Sequence, residues 1–296
     1  MVLIPSYNRP SVLLRNLRKM PFLNMPNTLF AVHSDEWWKY TDCRRTAPRA
    51  GWIEVKNPSG SVAVMREALR RTALRADNLG HPDIPIQYYV VTDDNATYSE
   101  ESLDHLVTCA RTFPRRPCTV AGMHNTAPHF DRRAIEQTKE EHGGVASYAV
   151  VSMMFQCYPR DLYEKYRYPP DAYGLDDRHF YLWAIDQGVR EFRVCMDAPF
   201  NKARYQEGGQ GTVIQRALKN GRAIARLATD FPDLVGAAGT LRIPWQLILG
   251  MKAGSIPDRL AGGSMRTESR ILSTSRSQLR ARVRTSTSSH ERSKQS

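Results

Sequence analysis

The chain has 296 residues, 41% of them hydrophobic and 24% charged, with a formal net charge of +12. Its length suits one large α/β domain or two small ones. Five cysteines with no CxxC pair argue against a disulfide scaffold or zinc ribbon, and for a reducing, cytoplasmic setting. No apolar run reaches the ~18 residues of a membrane-spanning helix, and the opening MVLIPSYNRP has no signal-peptide pattern.

Residues 1–120 alternate short apolar runs with helical patterns, which predicts βαβ units and a mostly parallel sheet. Strands are expected at 2–5, 28–33 and 52–55, with a helix over 10–19 between the first two. A basic amphipathic helix follows at 61–75. The run IQYYVVT (86–92) is the clearest strand, and it stops at Asp93-Asp94-Asn95. Ser99 then reads as the N-cap of a helix with Glu100 and Glu101 in its first turn. Strands are expected at 118–123, 147–158 and 192–196, and helices at 160–166, 175–187 and 210–228. In the last helix Val213, Ala217, Leu218, Ile224 and Leu227 are the inward candidates. Residues 1–250 are expected to form one domain. From 251 to 296 the chain is rich in Ser, Thr and Arg. Residues 252–296 hold ten Lys/Arg against three Asp/Glu, a net +7, and predict a disordered tail.

Three features carry chemistry. Ligands bind beyond the carboxyl ends of strands in open α/β sheets. Asp93, Asp94 and Asn95 stand at such an end and suit a hard divalent cation; the alternative is a solvated Asp/Asn turn. Asp176 and Asp177 open a helix, where one can cap and the other act as a general base. The turn Pro5-Ser6-Tyr7-Asn8-Arg9 follows the first strand and can meet a nucleotide. Dinucleotide, P-loop, GxSxG, HExxH and kinase motifs are absent from the sequence.

In this order these segments resemble the family 2-like glycosyltransferases of the GT-A fold, over residues 1–200. VLIPSYNRP is similar to the opening nucleotide-binding strand and turn. HSDE (33–36), with Asp35, is similar to the segment reaching the nucleobase. GSVAVMREALRRTA (60–73) resembles the G-x-A-x-x-R-N-x-G helix, with Arg66 at its arginine. YYVVTDDN resembles the DxD strand, and GLDDRHFYLWAIDQG the acidic catalytic helix. The resemblance implies an α/β GT-A fold, a Rossmann-like mixed sheet flanked by helices. It implies a nucleotide-sugar donor such as a UDP-sugar, with Asp93 on the nucleoside. Asn95 or Asp94 would meet Mn²⁺ or Mg²⁺. Asp177, or Asp176, would be the base of an inverting transfer. Asn95 replaces the second Asp of the motif, and Glu67 stands where the family usually has Asn.

Lys202 and Arg204 open a Gly-rich segment (202–211) that is either a lid carrying cations for the donor phosphates or a surface loop. Tyr173 is the aromatic candidate for acceptor contact. Tyr166, Tyr168, Phe180 and Trp183 are candidates whose alternative is the core. His179 is either a group behind the acids or a helix-surface residue. His124 and His129 read as loop residues, and Trp37-Trp38 as a hydrophobic corner or a nucleobase cover. The basic body and DDRHFYLW helix also resemble the TET-associated glycosyltransferases of bacteriophages, which implies hydroxymethylpyrimidine in DNA as acceptor. The alternatives are a polysaccharide, lipid or protein acceptor, a nucleotidyltransferase, or a non-catalytic DNA-binding protein.

Overall fold

The computed structural model describes residues 1–75, 85–112, 118–124, 145–147, 155–189, 191–202, 213–235, 242–244 and 248–251. All lie within one compact unit, Met1–Gly254. The basic tail beyond 251, Arg204, His129 and the rest of the Gly-rich segment lie outside the described residues.

The strands are β1 (Val2–Ser6), β2 (Thr28–His33), β3 (Gly51–Val55), β4 (Tyr88–Thr92), β5 (Ala96–Tyr98), β6 (Cys118–His124), β7 (Val145–Ser147), β8 (Phe155–Pro159), β9 (Glu191–Lys202), β10 (Arg242–Pro244) and β11 (Ile248–Met251). The main sheet runs β11-β9-β6-β8-β4-β1-β2-β3, with β5 added to β9, while β7 and β10 form a separate antiparallel pair. β1 is parallel to β2 and β4, and β2 to β3. β9 is parallel to β6 and β11, whereas β8 is antiparallel to both β4 and β6. The architecture is therefore α/β with a mixed sheet, as expected.

The described α-helices are α1 (Pro10–Lys19), α2 (Thr41–Thr46), α3 (Val62–Arg75), α4 (Glu100–Arg111), α5 (Arg160–Lys165), α6 (Asp176–Asp186) and α7 (Val213–Asp230), with short 3-10 segments at Pro21–Leu23, Ser34–Tyr40 and Pro170–Ala172. Pro10 starts α1, where a missing N–H costs nothing. Ser99 Oγ accepts the Ser102 N–H (3.0 Å) and caps α4. Gly188 stops α6 at φ +81°, and the Val189 N–H reaches back to the Ala184 carbonyl (2.8 Å).

Every residue of β1 is buried, because helices cover both faces of the sheet. Side chains alternate: Leu3 joins Leu29, Val91 and the α3 residues Met65 and Leu69. Val2 and Ile4 join Phe30, Val90 and the α1 and α4 residues Leu13, Leu17 and Leu106 on the other face. Gly122 in β6 marks a close approach. A β-carbon there would stand 2.4 Å from Phe155 and 2.7 Å from the Ala198 carbonyl oxygen. Gly122→Ala should therefore destabilise the fold by about 1–3 kcal/mol, read as a lower urea midpoint; an unchanged midpoint would contradict this packing.

Several expectations change. The long strand expected over 147–158 is described only as β7 and β8, which belong to different sheets. Leu218 is 69% exposed, whereas Ala223 and Leu227 form the buried stripe of α7 against Leu175 and Leu182. The 3-10 segment Ser34–Tyr40, α2 and β5 were not legible as regular elements. Trp37 packs on the core, and Trp38 stands 70% exposed. Among the described residues no helix is long and apolar enough to cross a membrane, and Cys43, Cys109, Cys157 and Cys195 are buried free thiols.

Candidate active site

The two acidic segments, more than 80 positions apart in sequence, meet through one side chain. α3 carries Arg66 behind the carboxyl ends of β4 and β1. Its Nη2 donates to Asp93 Oδ1 (2.9 Å) and its Nη1 to Asp176 Oδ2 (2.5 Å). Arg66 is only 5% exposed, so the fold has placed a permanent cation in its interior. Such a charge is tolerable only when paired. The carboxylates of Asp176 and Asp93 hold the guanidinium firmly protonated against the cost of its burial.

Asp93 also accepts from Lys202 Nζ (2.9 Å), the last residue of β9. Burial opposes ionisation of Asp93, but Lys202 and Arg66 outweigh it and bring its pKa down to about 2. Asp94 is more deeply buried. Ser6 Oγ donates to its Oδ2 (2.8 Å) and Arg9 Nη1 to its Oδ1 (3.2 Å). Its backbone carbonyl accepts from Asn16 Nδ2 (2.8 Å) on α1. Here burial dominates, and the pKa rises to about 6 despite Arg9.

These opposite shifts have opposite consequences. Asp93 contributes stability above its unfolded pKa, and loses it as the pH falls toward about 2. The native state binds a proton at Asp94 between pH 3.8 and about 6, so the Asp94 contribution weakens as pH rises through that window. Asp94→Asn should therefore raise the metal-free unfolding free energy at pH 7 by up to about 3 kcal/mol, and weaken the pH dependence between about 4 and 6, to which Asp176 also contributes. A destabilised variant would show that the Arg9 pair outweighs burial.

The acid pair opens α6. Asp176 is buried against Arg66, and burial pushes its pKa to about 6. Asp177 is half-buried, and its Oδ1 accepts the neighbouring Arg178 N–H (2.7 Å). Burial raises its pKa as well, against the pull of Arg66. Of the two, Asp176 is anchored and Asp177 is the more accessible.

The first turn and the segment after β2 form the other wall. Tyr7 lies edge-on to His33 at 5.4 Å, and the Asn8 N–H donates to Glu36 (2.7 Å). Ser6 and the Arg9 N–H both meet the Tyr40 hydroxyl. Asn8 has φ +53°, a conformation that costs a non-glycine residue energy and clusters at functional sites. Asp35 is 85% exposed at the rim, its backbone N–H on His33 Nδ1 (3.2 Å). Pro5 belongs to β1 and pairs with Ala31. Gly60 at φ +61° lets Lys219 of α7 and the Tyr7 hydroxyl approach: a β-carbon would come within 3.1 and 3.3 Å of them.

Tyr173 lies just before the acid pair with φ +47°, its ring 6.0 Å from Lys219 Nζ. The other aromatic candidates are core. Tyr166, Tyr168 and Phe180 are buried, and Trp183 packs on them. His179 is buried, which overturns the helix-surface reading and fits a group behind the acids: the Tyr166 hydroxyl stands between its ring and the Asp176 carbonyl. Its Nδ1 pairs with the Tyr166 hydroxyl (3.1 Å) and its Nε2 with Asp230 of α7 (3.1 Å). The departure at Glu67 also has a structural account. Its carboxylate takes Arg70, Arg71 and the Tyr168 N–H, tying the aromatic loop to α3.

Sequence reasoning passed over Lys219, Tyr40 and Asn16. Asn16 left a signal: it stands on the buried stripe of α1 among Val12, Leu13 and Leu17, where an amide needs a reason. Lys219 and Tyr40 left none, since each reaches the site only through tertiary packing.

The side chains at the strand end suit a hard dication. Asp93, Asp94 and Asn95 offer oxygen donors, and in this structure Arg9, Arg66 and Lys202 balance the two carboxylates. Among the described residues no three His, Cys, Asp or Glu side chains form a closed cage. One or two carboxylates completed by substrate phosphates is the usual arrangement for magnesium.

No protein-family model and no curated protein matches the chain. Among solved structures, glucosyl-3-phosphoglycerate synthase from Mycobacterium tuberculosis in complex with Mn²⁺, UDP and phosphoglyceric acid is similar, with 12% identity and a TM-score of 0.47 over 82% of this chain and 85% of that chain. The same protein in complex with Mg²⁺ and UDP gives 10% identity and 0.47 over 83% and 86%. TarS residues 1–349 from S. aureus gives 12% identity and 0.46 over 77% and 71%.

Proposed function

We propose that the chain is a metal-assisted glycosyltransferase that moves a sugar from a nucleotide sugar to an acceptor hydroxyl with inversion. The observation that carries this reading is the Arg66 bridge, which ties the strand-end acid Asp93 to the acid pair of α6. A donor held at Asp93 and a base at Asp177 then belong to one cleft. Tyr7, Asn8 and Asp35 line the side where the nucleoside sits. Asp93 binds the nucleoside, and Arg9 and Lys202 face the diphosphate. Asp177 takes the proton of the acceptor hydroxyl, whose oxygen attacks the anomeric carbon as the bond to the diphosphate breaks. Its raised pKa makes it a stronger base than an ordinary carboxylate. A Mn²⁺ or Mg²⁺ ion held by Asp94 and Asn95 would neutralise charge on the leaving diphosphate. Release of a nucleoside diphosphate separates this reading from a nucleotidyltransferase, which releases pyrophosphate.

For the acceptor we propose a hydroxymethylated pyrimidine in DNA, with Tyr173 beside it. The net charge of +12 supports a polyanionic partner. Four buried free thiols support a cytoplasmic setting, the host cytoplasm if the source is a phage. The test is mass analysis of nucleosides after incubation with UDP-sugars, Mn²⁺ and DNA containing or lacking 5-hydroxymethylcytosine. A gain of one hexose on modified DNA alone is expected. Transfer to glycans with none to DNA would overturn the acceptor and keep the transferase.

A further inference from the structure

Behind the Asp93–Asn95 turn lies a cavity of about 310 Å³, set between α1, β5 and the end of β9. This volume is at the lower end for small-ligand sites. Three of its lining residues are cations: Arg15 and Lys19, one helical turn apart on α1, and Lys202. Asn95, Asn201 and Thr97 add amide and hydroxyl groups, and no carboxylate lines it. Among the described residues neither Arg15 nor Lys19 forms an ion pair, although Arg9 on the same side of the chain is engaged by Asp94. The charge of the lining is wholly positive. An oxyanion finds charge and donors together.

We propose that this cavity is a phosphate-binding site. Its occupant is a phosphate oxyanion held by Arg15 and Lys19, with the side-chain amide of Asn201 and the Thr97 hydroxyl as further donors. The site is distinct from the donor cleft but shares two residues with it. Lys202 lines the cavity and also bonds Asp93, and Asn95 lines the cavity from within the acidic turn. An anion drawn to Lys202 competes with Asp93 for it. The site therefore senses phosphate next to the acids. The phosphate is either free inorganic phosphate or a phosphodiester of a nucleic-acid strand, and binding measurements distinguish them.

The experiment is calorimetric titration of the full chain, without nucleotide sugar, using inorganic phosphate in one arm and a short DNA duplex in the other. Arg15→Ala/Lys19→Ala is compared with Arg18→Ala, which removes a charge from the same helix outside the cavity. Arg15 and Lys19 are exposed, so the double variant keeps the wild-type unfolding midpoint. We expect phosphate affinity to fall by at least about tenfold in the double variant and to stay at the wild-type level in Arg18→Ala. If only the duplex binds, and loses affinity in the double variant alone, the occupant is the phosphodiester. The proposal is overturned if neither ligand binds at millimolar concentration, or if the double variant binds as the wild type does or as Arg18→Ala does. Because no sugar donor is present, these outcomes are independent of whether the transferase reading holds.

Discussion

Arg66→Ala should destabilise the protein by about 3–5 kcal/mol and abolish sugar transfer. The substitution removes the cation shared by Asp93 and Asp176, and leaves Asp176 buried with no ion-pair partner among the described residues. Part of the loss can be recovered if Asp176 protonates, since its pKa is already raised to about 6. The variant should therefore be least stable at neutral pH and regain stability as the pH falls toward 5. Arg66→Lys should restore little. An ammonium is a point charge and cannot span two carboxylates with the planar fork of a guanidinium. Urea unfolding at pH 5 and pH 7.5, together with the transfer assay, checks this. A variant as stable as the wild type would mean that the bridge is incidental.

The second large effect separates the two acids of α6. Asp177→Asn should lower kcat by about 10²–10⁴-fold with little change in stability, since the side chain has no buried ion pair to lose. Asp176→Asn should act through stability and through the position of Arg66. In the wild type the rate should rise with pH through a limb set by a carboxylate. That limb should lie above the ordinary carboxylate range, because burial pushes Asp177 up and its base form must be deprotonated to act. The limb should vanish in Asp177→Asn. If Asp177→Asn keeps the wild-type rate while Asp176→Asn is dead, the base is Asp176. If both retain it, the acid pair has no part in the reaction.

The sheet's parallel half was legible because its strands are buried on both faces and read as unbroken apolar runs: Val2–Ser6, Thr28–His33 and Tyr88–Thr92. The α1 and α6 boundaries followed from Pro10 and Gly188, whose backbone preferences do not depend on tertiary context. β5 is three residues long, too short for any period to register, and it follows a turn-forming triplet. Trp37 and Trp38 read as a corner or cover because a 3-10 segment has no lasting amphipathic pattern. The candidate site was legible as separate acids, not as one site. Arg66 was singled out by motif position, but nothing in the sequence shows that its two nitrogens reach carboxylates 27 and 110 positions away. The charge state of each acid was equally hidden. Asp93 and Asp94 are neighbours with opposite pKa shifts, because two cations hold the first while the second lies deeper behind Ser6 and Tyr40.

If Asp93, Asp94 and the acid pair of α6 form one donor site, a nucleotide sugar should bind there with a divalent ion. Titration calorimetry of UDP-glucose against the full chain, with Mn²⁺ and then with chelator, tests it most directly. Binding is expected with Mn²⁺, with loss on chelation and loss in Asp93→Ala while the fold is retained. UDP-glucose binding that survives both chelation and Asp93→Ala would contradict it.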